Sequence, residues 1–302
     1  MLLSAILLAI FWTVRADLAG IRGHERFADG TPHTIHTTFL TFGGPSPDYR
    51  AAVARLCGEV ERLELFDRVV GCTDADLRRA ENAAFWGAHG AFLESAAGAR
   101  GYGYWIWKPY LIGRALAAMR DGDVLVYLDA GCTLNAALPP AERRRRFADL
   151  VERARAEELL YTFYSLDGGN EERAFNKADL LDRVGALRDP AVTDTLQCQA
   201  TAIALANSPR TRELARQWLA LAVEDGYHLV DDSPSRLPEA RAFAEHRHDQ
   251  AIFSLLVKLH GLFTDPRHGT ASTASTASTQ TTHVVDLASP DCPFVTARRR
   301  SG

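Results

Sequence analysis

The first candidate for chemistry is a carboxylate that directly follows an apolar, β-favouring run. In the stretch GDVLVYLDAGC, Val124–Leu128 predict a buried strand that ends at Asp129. Ligands of α/β sheets bind outside the carboxyl ends of the strands, so Asp129 is a candidate ligand-binding acid. Asp74 is a weaker candidate, because it follows a second strand-like run, FDRVVGCTD. Asp121 and Asp123 precede the strand, and the string DGD there predicts a turn.

A second polar cluster stands at the amino end of an apolar helix. The stretch EHRHDQAIFSLLVKLHG predicts a helix with one apolar face that ends near Gly261. Its amino end presents His248, Asp249 and Gln250. A helix cap would explain the acid, since carboxylates stabilise helix N-termini. A cap does not explain the imidazole and the amide, and polar groups on a buried element indicate a candidate functional site.

Aromatic and cationic residues come together in the stretch RGYGYWIWKPYLI. Pro109 suits the first turn of a helix, where its missing N–H costs nothing, so Lys108 stands at a helix start. A lysine there either contacts a phosphate or is simply solvated. Of Trp105 and Trp107, we expect one to pack in the core and the other to line a pocket.

The fold must bring these residues together. From about His36, patterns typical of strands alternate along the chain with patterns typical of helices. TIHTTFLTFGG predicts a strand that breaks at Gly43, and Asp48 is the expected cap of the next helix. A further helical region is expected over residues 77–95. The alternation predicts an α/β fold with a mostly parallel central sheet flanked by helices, in a single domain over residues 36–268.

Composition excludes some classes of function. The chain has 302 residues, of which 47% are hydrophobic and 24% charged, which is enough for a proper core. The net charge of -4, with no basic cluster beyond the arginine run 143–146, argues against a nucleic-acid partner. That run itself predicts a solvated helix start. The five cysteines lack the spacing of a structural zinc site.

Both ends of the chain predict segments outside this domain. Residues 1–16 carry an apolar run that is short for a membrane span and suits a signal peptide or short signal-anchor, with a linker over 17–35. Such a segment favours the secretory lumen or the exterior over the cytoplasm, and an anchor would attach the chain to a membrane. Residues 269–282 predict a low-complexity loop, and 283–302 a final strand and a basic tail.

Three motifs together resemble one enzyme family. RGYGYWIWKPYLI, GDVLVYLDAGC and HRHDQAIFSLL, in this order, are similar to the nucleotide-sugar glycosyltransferases of the GT-A fold. The most similar group, from bacterial polysaccharide clusters, large viruses and algae, combines W-x-W-K-P, Y-L-D-A-G and H-D-Q. The resemblance covers residues 37–262. It implies a GT-A-like, Rossmann-like sheet and transfer of a sugar from a nucleoside-diphosphate sugar to a hydroxyl on a glycan or glycoconjugate.

The resemblance also implies roles for individual residues. The donor would bind at the strand ends and the W-K-P motif, through Thr41, Phe42, Gly43, Asp74, Trp107, Lys108, Asp129, Ala130 and Gly131. Gln197 and Gln199 would form an acceptor-side wall, although a hydrogen-bonded edge strand explains them equally well.

Asp249, Gln250 and His248 would be the catalytic residues. Asp249 would take the proton of the acceptor hydroxyl in an inverting enzyme, or orient the acceptor in a retaining one. Gln250 would hold the donor sugar or its phosphate. His248, if protonated, would stabilise the leaving diphosphate.

The expected metal site departs from the family pattern. Such enzymes bind a divalent cation through a strand-end D-x-D, so Asp129 would be the metal ligand, but Gly131 replaces the second acid. Mn²⁺ or Mg²⁺ would need a carboxylate or imidazole from elsewhere, or cationic side chains would act instead.

Three other interpretations stay open. The missing second acid allows a protein of this fold that binds glycans or nucleotides without turnover. A nucleotidyltransferase could share the sheet, although TFGGPSPDYR has no lysine for a phosphate loop. A phosphohydrolase would use Asp129 as its nucleophile.

Overall fold

The computed structural model describes residues 35–134, 138–163, 169–267 and 294–295. In this part of the chain the strands form a five-stranded sheet and a two-stranded ribbon. In chain order they are β1 (Thr37–Phe42), β2 (Arg68–Cys72), β3 (Val124–Leu128), β4 (Thr133–Leu134), β5 (Leu159–Phe163), β6 (Cys198–Ala206) and β7 (Phe294–Val295).

The five-stranded sheet has the order β2-β1-β3-β6-β5. Strand β1 pairs in parallel with β2 and β3, whereas β6 pairs antiparallel with β3 and β5. Four of the five strands therefore run in the same direction, which confirms the expected α/β class and mostly parallel sheet. Strands β4 and β7 pair antiparallel in the ribbon.

Helices connect the strands. Those described are α1 (Pro47–Glu61), α2 (Asp74–Leu77), α3 (Ala83–Leu93), α4 (Trp107–Ala117), α5 (Pro140–Glu157), α6 (Glu172–Phe175), α7 (Ala178–Arg183), α8 (Pro190–Thr193), α9 (Pro209–Val223) and α10 (His248–Leu259). The segments Ala80–Asn82 and Glu224–Tyr227 form short 3₁₀ turns.

Alternate residues of β3 pack on opposite faces of the sheet, as the pleat requires. Leu125 and Tyr127 belong to a core that includes α4, α9 and α10. Val124, Val126 and Leu128 belong to a second core that includes α1 and α5. Because all five residues of β3 are buried, this strand is the middle of the domain.

The strand order places a crevice beside β1. The chain passes from β1 to β2 on one side and then returns to place β3 on the other side of β1. Open α/β sheets bind ligands outside the carboxyl ends of the strands at such a reversal. Since β6 is antiparallel to β3, its first residues lie at this same edge.

Two local predictions are corrected. The cap of α1 is Ser46, whose Oγ accepts from Tyr49 N–H (3.3 Å), rather than Asp48. Pro47 fills the first helical position, so the residue before it becomes the cap. The helical region expected over 77–95 begins earlier, at Asp74, where a capping box with Thr73 starts α2, and continues through a 3₁₀ turn into α3, which ends at Leu93.

The arginine run 143–146 lies in the first turns of α5, as predicted. Arg145 and Arg146 both bind Glu142 at 2.6 Å, and the Arg145 side chain is 55% exposed. Of the segments predicted outside the domain, residues 1–34, 269–293 and 296–302 lie outside the described residues. None of the described helices is long and apolar enough to cross a membrane.

Candidate functional site

A buried lysine lies between the two acids that the sequence singled out. The Lys108 Nζ atom is 2.8 Å from Asp249 Oδ2 and 3.3 Å from Asp129 Oδ1. It also donates to the carbonyl oxygen of Ala200 (3.1 Å), so the ammonium lies against three oxygen atoms. Only 4% of the Lys108 side chain is exposed. The interpretation of Lys108 as a solvated helix-start residue is therefore wrong.

Separate parts of the chain bring these groups to one edge of the sheet. Lys108 and Asp249 lie in the first turns of α4 and α10, and Asp129 follows β3 directly. The Asp129 N–H donates to Thr201 O (2.9 Å), which fixes the acid against β6. The carboxylates therefore meet at the carboxyl end of β3, the edge at which a ligand site is expected.

A tyrosine on β3 orients Asp129. The Tyr127 hydroxyl donates to Asp129 Oδ1 (2.7 Å). Burial, together with the charge of Asp129, holds the pKa of Tyr127 well above its ordinary value, so the phenol stays a donor. The Asp129 side chain is 21% exposed against 7% for Asp249. Asp129 therefore offers more of its surface to a ligand than Asp249 does.

The ionisation of the cluster follows from its burial. Burial lowers the pKa of Lys108, but Asp129 and Asp249 outweigh this and raise it above its usual value. Burial raises the pKa of Asp249 to about 6 against the opposing charge of Lys108, and Asp129 adds to the rise. Lys108 is thus a permanent cation, while Asp249 gains or loses its proton close to neutral pH.

A left-handed turn leads into Lys108. Residues 101–105 all have positive φ, with values of 59°, 51°, 83°, 51° and 62°. Gly103 has a packing reason as well, because a Cβ there would lie 2.3 Å from Leu93 Cδ2. Bulky residues rarely adopt this conformation, at a cost of about 1–2 kcal/mol each. The turn leads directly into α4, whose first turn carries Trp107 and Lys108.

The two tryptophans differ, as expected. Trp107 is buried, stacks on Phe42 at the end of β1 (ring centroids 4.0 Å apart) and donates to Gly101 O (3.2 Å). Trp105 is half-buried and stacks on the ring of His248 at 5.7 Å. Trp107 is therefore the core residue, and Trp105 is the more exposed of the two indoles.

His248 and Gln250 flank Asp249 but make different contacts. The His248 Nδ1 atom bonds to Val230 O (2.8 Å), and burial lowers the pKa of the ring. The neutral form is thus favoured, which disfavours the protonated His248 expected to stabilise a leaving group. The Gln250 amide donates to Gln197 Oε1 (2.8 Å) and accepts from Ala200 N–H (3.4 Å).

Behind Gln250 lies a second buried ion pair that the sequence interpretation missed. Lys258 bonds to Glu172, which is fully buried and also accepts from Gln197 Nε2 (3.2 Å). Gln199 instead accepts from Thr162 Oγ1 on β5 (2.7 Å). The two glutamines thus have separate partners. The sequence feature that could have indicated this ion pair is Lys258, a lysine that directly follows the apolar run of α10.

The predicted donor residues at β1 and β2 are held by their own contacts. Thr41 Oγ1 donates to Leu128 O (2.8 Å), tying the ends of β1 and β3 together. Asp74 accepts two hydrogen bonds from Arg50, from Nε at 2.9 Å and Nη2 at 2.8 Å. These bonds lower the pKa of Asp74. Arg50, half of whose side chain is exposed, is thus a cation at this edge that the sequence interpretation missed.

The residues after Asp129 bear on the expected metal. Ala130 and Gly131 form the turn, and Arg55 Nη2 donates to Ala130 O (2.9 Å) and Cys132 O (2.8 Å). Asp129 Oδ1 is already engaged by Tyr127 and Lys108. Among the described residues, no three His, Cys, Asp or Glu side chains are grouped to hold a metal ion. The side chains described here do not fit a protein-built metal site.

Two comparisons with known proteins found no match. No protein-family model matches the chain. No curated protein shows significant similarity to it. The function must therefore be argued from the geometry and chemistry of the site.

Proposed function

We propose that this protein is a GT-A-like glycosyltransferase. It moves a sugar from a nucleoside-diphosphate sugar to a hydroxyl of a glycan or glycoconjugate. The observation that supports this most is the Lys108 ammonium between Asp129 and Asp249, beside the strand-order reversal of the sheet. Paired carboxylates on a cation at this edge suit a polar, anionic ligand and a proton transfer.

In this proposal the two acids divide the work. Asp129, the more exposed acid, contacts the donor, and Tyr127 and Lys108 hold it in place. Asp249 accepts the proton of the acceptor hydroxyl, because a base with a pKa of about 6 is largely ionised at neutral pH. Gln250, bonded to Gln197, orients the helix start that carries Asp249.

The diphosphate requires positive charge. Two ionised carboxylates and one ammonium leave the cluster with a net negative charge, which would repel a diphosphate. Arg50, in the first turn of α1, is half-exposed and presents a guanidinium, the group best suited to phosphate, although its charge is paired with Asp74 in the absence of ligand. The described side chains do not fit a protein-built metal site, and the experiment below measures whether donor binding depends on Mn²⁺.

A binding protein without turnover is the second candidate. The observations that favour it are Gly131 in place of an acid and the small exposed fraction of Asp249, 7%. A nucleotidyltransferase or a phosphohydrolase has no comparable support. Donor hydrolysis in the absence of acceptor separates an enzyme from a binding protein.

A thermal-shift screen of nucleotide sugars, with and without Mn²⁺, tests the proposal. A ligand at about 100 times its dissociation constant stabilises the folded state by about 2.7 kcal/mol. We expect at least one nucleotide sugar to raise the melting temperature of the wild type and of Asp121→Asn, whose acid lies at the opposite end of β3. Asp129→Asn should lose the shift. Absence of any shift, or an equal shift in Asp129→Asn, would contradict the proposed donor site.

A further inference from the structure

A buried nitrogen beside Asp249 has no hydrogen-bond partner. His248 is 3% exposed, and no donor or acceptor in the described part of the chain bonds to its Nε2 atom. The nearest acid is Asp232, whose Oδ1 lies 3.6 Å away, beyond hydrogen-bond distance. Buried polar atoms are nearly always paired, so the Nε2 atom is a candidate contact for a bound ligand, with the half-exposed Asp232 carboxylate beside it.

Both atoms are acceptors. The Val230 carbonyl can only accept, so the hydrogen of the neutral ring lies on Nδ1 and leaves a lone pair on Nε2. The Asp232 carboxylate also only accepts. Arg100 Nη1 donates to its Oδ1 (2.8 Å) and the Tyr104 hydroxyl to its Oδ2 (3.1 Å), which fixes the acid in place. What fits here is a group that supplies two neighbouring hydrogen-bond donors.

An aromatic surface borders the two acceptors. The Trp105 ring stacks on the His248 ring at 5.7 Å with an interplanar angle of 29°. Both residues have left-handed backbones, with φ of 62° and 53°. Such conformations cost about 1–3 kcal/mol each and persist only where surrounding structure enforces them. The indole, the imidazole and the half-exposed Asp232 thus form one fixed surface, the 105/232/248 surface.

We propose that the 105/232/248 surface binds a pyranose ring through two neighbouring hydroxyls. One hydroxyl donates to His248 Nε2 and the other to the Asp232 carboxylate, while the C–H groups of the sugar contact the part of Trp105 that His248 and Gly101 leave uncovered. The proposal rests on the proposed function in placing a sugar next to Asp249. The sugar is either the transferred residue of the donor or the terminal residue of the acceptor, since both present the same chemistry.

Saturation-transfer NMR with simple glycosides tests this without any nucleotide. The probes are methyl glycosides of glucose, galactose and mannose, and their deoxy analogues that lack one ring hydroxyl. We expect the wild type to bind at least one glycoside, and removal of either engaged hydroxyl to weaken binding about tenfold or more. Deoxy analogues that all bind like their parents would overturn the proposal, and this comparison needs no variant.

Two variants locate the binding. Asp232→Asn keeps the shape but replaces one acceptor oxygen by an amide donor and removes the charge that pairs with Arg100, so we expect glycoside binding at least about tenfold weaker and a thermal stability close to that of the control below. Asp225→Asn is the matched control, because its side chain is equally exposed (47%) and its ion pair is with Arg236. Unchanged binding in Asp232→Asn, or equal losses in both, would overturn the assignment.

Further measurements separate the alternatives. An imidazole beside a carboxylate could also bind a divalent cation, so Mn²⁺ alone is titrated against the wild type and Asp232→Asn. Mn²⁺ binding that depends on Asp232, with no glycoside binding, would replace the sugar proposal. Displacement of the glycoside by a nucleotide sugar identifies the donor sugar position, and simultaneous binding identifies the acceptor position. If glycosides bind but no nucleotide sugar does, the proposed function is refuted while the sugar-binding assignment of the 105/232/248 surface stands.

Discussion

The Lys108 ammonium lies 2.8 Å from the Asp249 carboxylate and joins the first turns of α4 and α10 beneath the edge of the sheet. The same ammonium reaches Asp129 at the end of β3. Buried charges are tolerated only when they are paired, so each of these side chains depends on the other two. The cluster therefore links the stability of the domain to the proposed chemistry.

Replacing Lys108 should destabilise the fold. Lys108→Met leaves the buried Asp249 and the partly exposed Asp129 without their cation, and removal of one partner of a buried ion pair typically costs about 3–5 kcal/mol. Arg79→Met, which removes a surface pair with Asp76 from a side chain that is 64% exposed, should change stability by less than about 1 kcal/mol. Denaturant unfolding of both variants measures this. Equal midpoints for Lys108→Met and wild type would show that the buried pairing contributes nothing.

Asp249 should make the stability depend on pH. Its folded pKa is raised from 3.8 to about 6, so it favours the folded state below 3.8, and this contribution is lost as the pH rises through about 6. Burial lowers the pKa values of His246 and His248, so these residues cost stability as the pH falls below 6.5. The difference in the free energy of unfolding between wild type and Asp249→Asn, measured across this pH range, separates the contribution of Asp249 from that of the histidines. This difference should decline between pH 3.8 and about 6, and a constant difference would contradict the assigned shift.

The left-handed turn should not tolerate a side chain at Gly103. Gly103→Ala meets Leu93 Cδ2 and places alanine at φ +83°, so a loss of more than about 1 kcal/mol is expected. Gly58→Ala is the control, because Gly58 lies inside α1 with nothing within 4 Å, and alanine there should stabilise by about 0.5–1 kcal/mol. In chemical denaturation we expect Gly103→Ala to lower the free energy of unfolding and Gly58→Ala to raise it. A change of the same sign in both variants would contradict the left-handed conformation of the turn.

The amino-terminal segment should be dispensable for folding. Removal of residues 1–16, the predicted signal peptide or anchor, should leave the melting temperature of the purified domain unchanged. Thermal unfolding with and without the segment checks this. A chain that loses its cooperative transition when shortened would instead make the apolar run part of the core.

The sequence predicted those features that depend on local pattern. The strands β1, β2 and β3 are short apolar, β-branched runs, and α10 has a helical apolar face. The strand-end rule then selected Asp129. Capping was less predictable, because Ser46 and Asp48 are both good caps and only the position of Pro47 decides between them.

The remaining site depends on contacts between residues far apart in the chain. Lys108 was recognised as a candidate, but its burial between two acids follows from the packing of α4 on α9 and β3 and of α10 on β6. The pairs Asp74–Arg50 and Glu172–Lys258 arise in the same way. No local propensity predicts a left-handed turn with three aromatic residues, since the surrounding core enforces it.

The most direct measurement compares Asp249→Asn with wild type, using the nucleotide sugar that stabilises the wild type. Donor affinity and the rate of sugar transfer or donor hydrolysis are measured together. Asparagine keeps the volume and removes the charge, so we expect donor affinity within a few-fold and turnover reduced by at least ~10²-fold. Near-normal turnover with a lowered melting temperature would contradict the proposal and leave Asp249 as a buried helix cap.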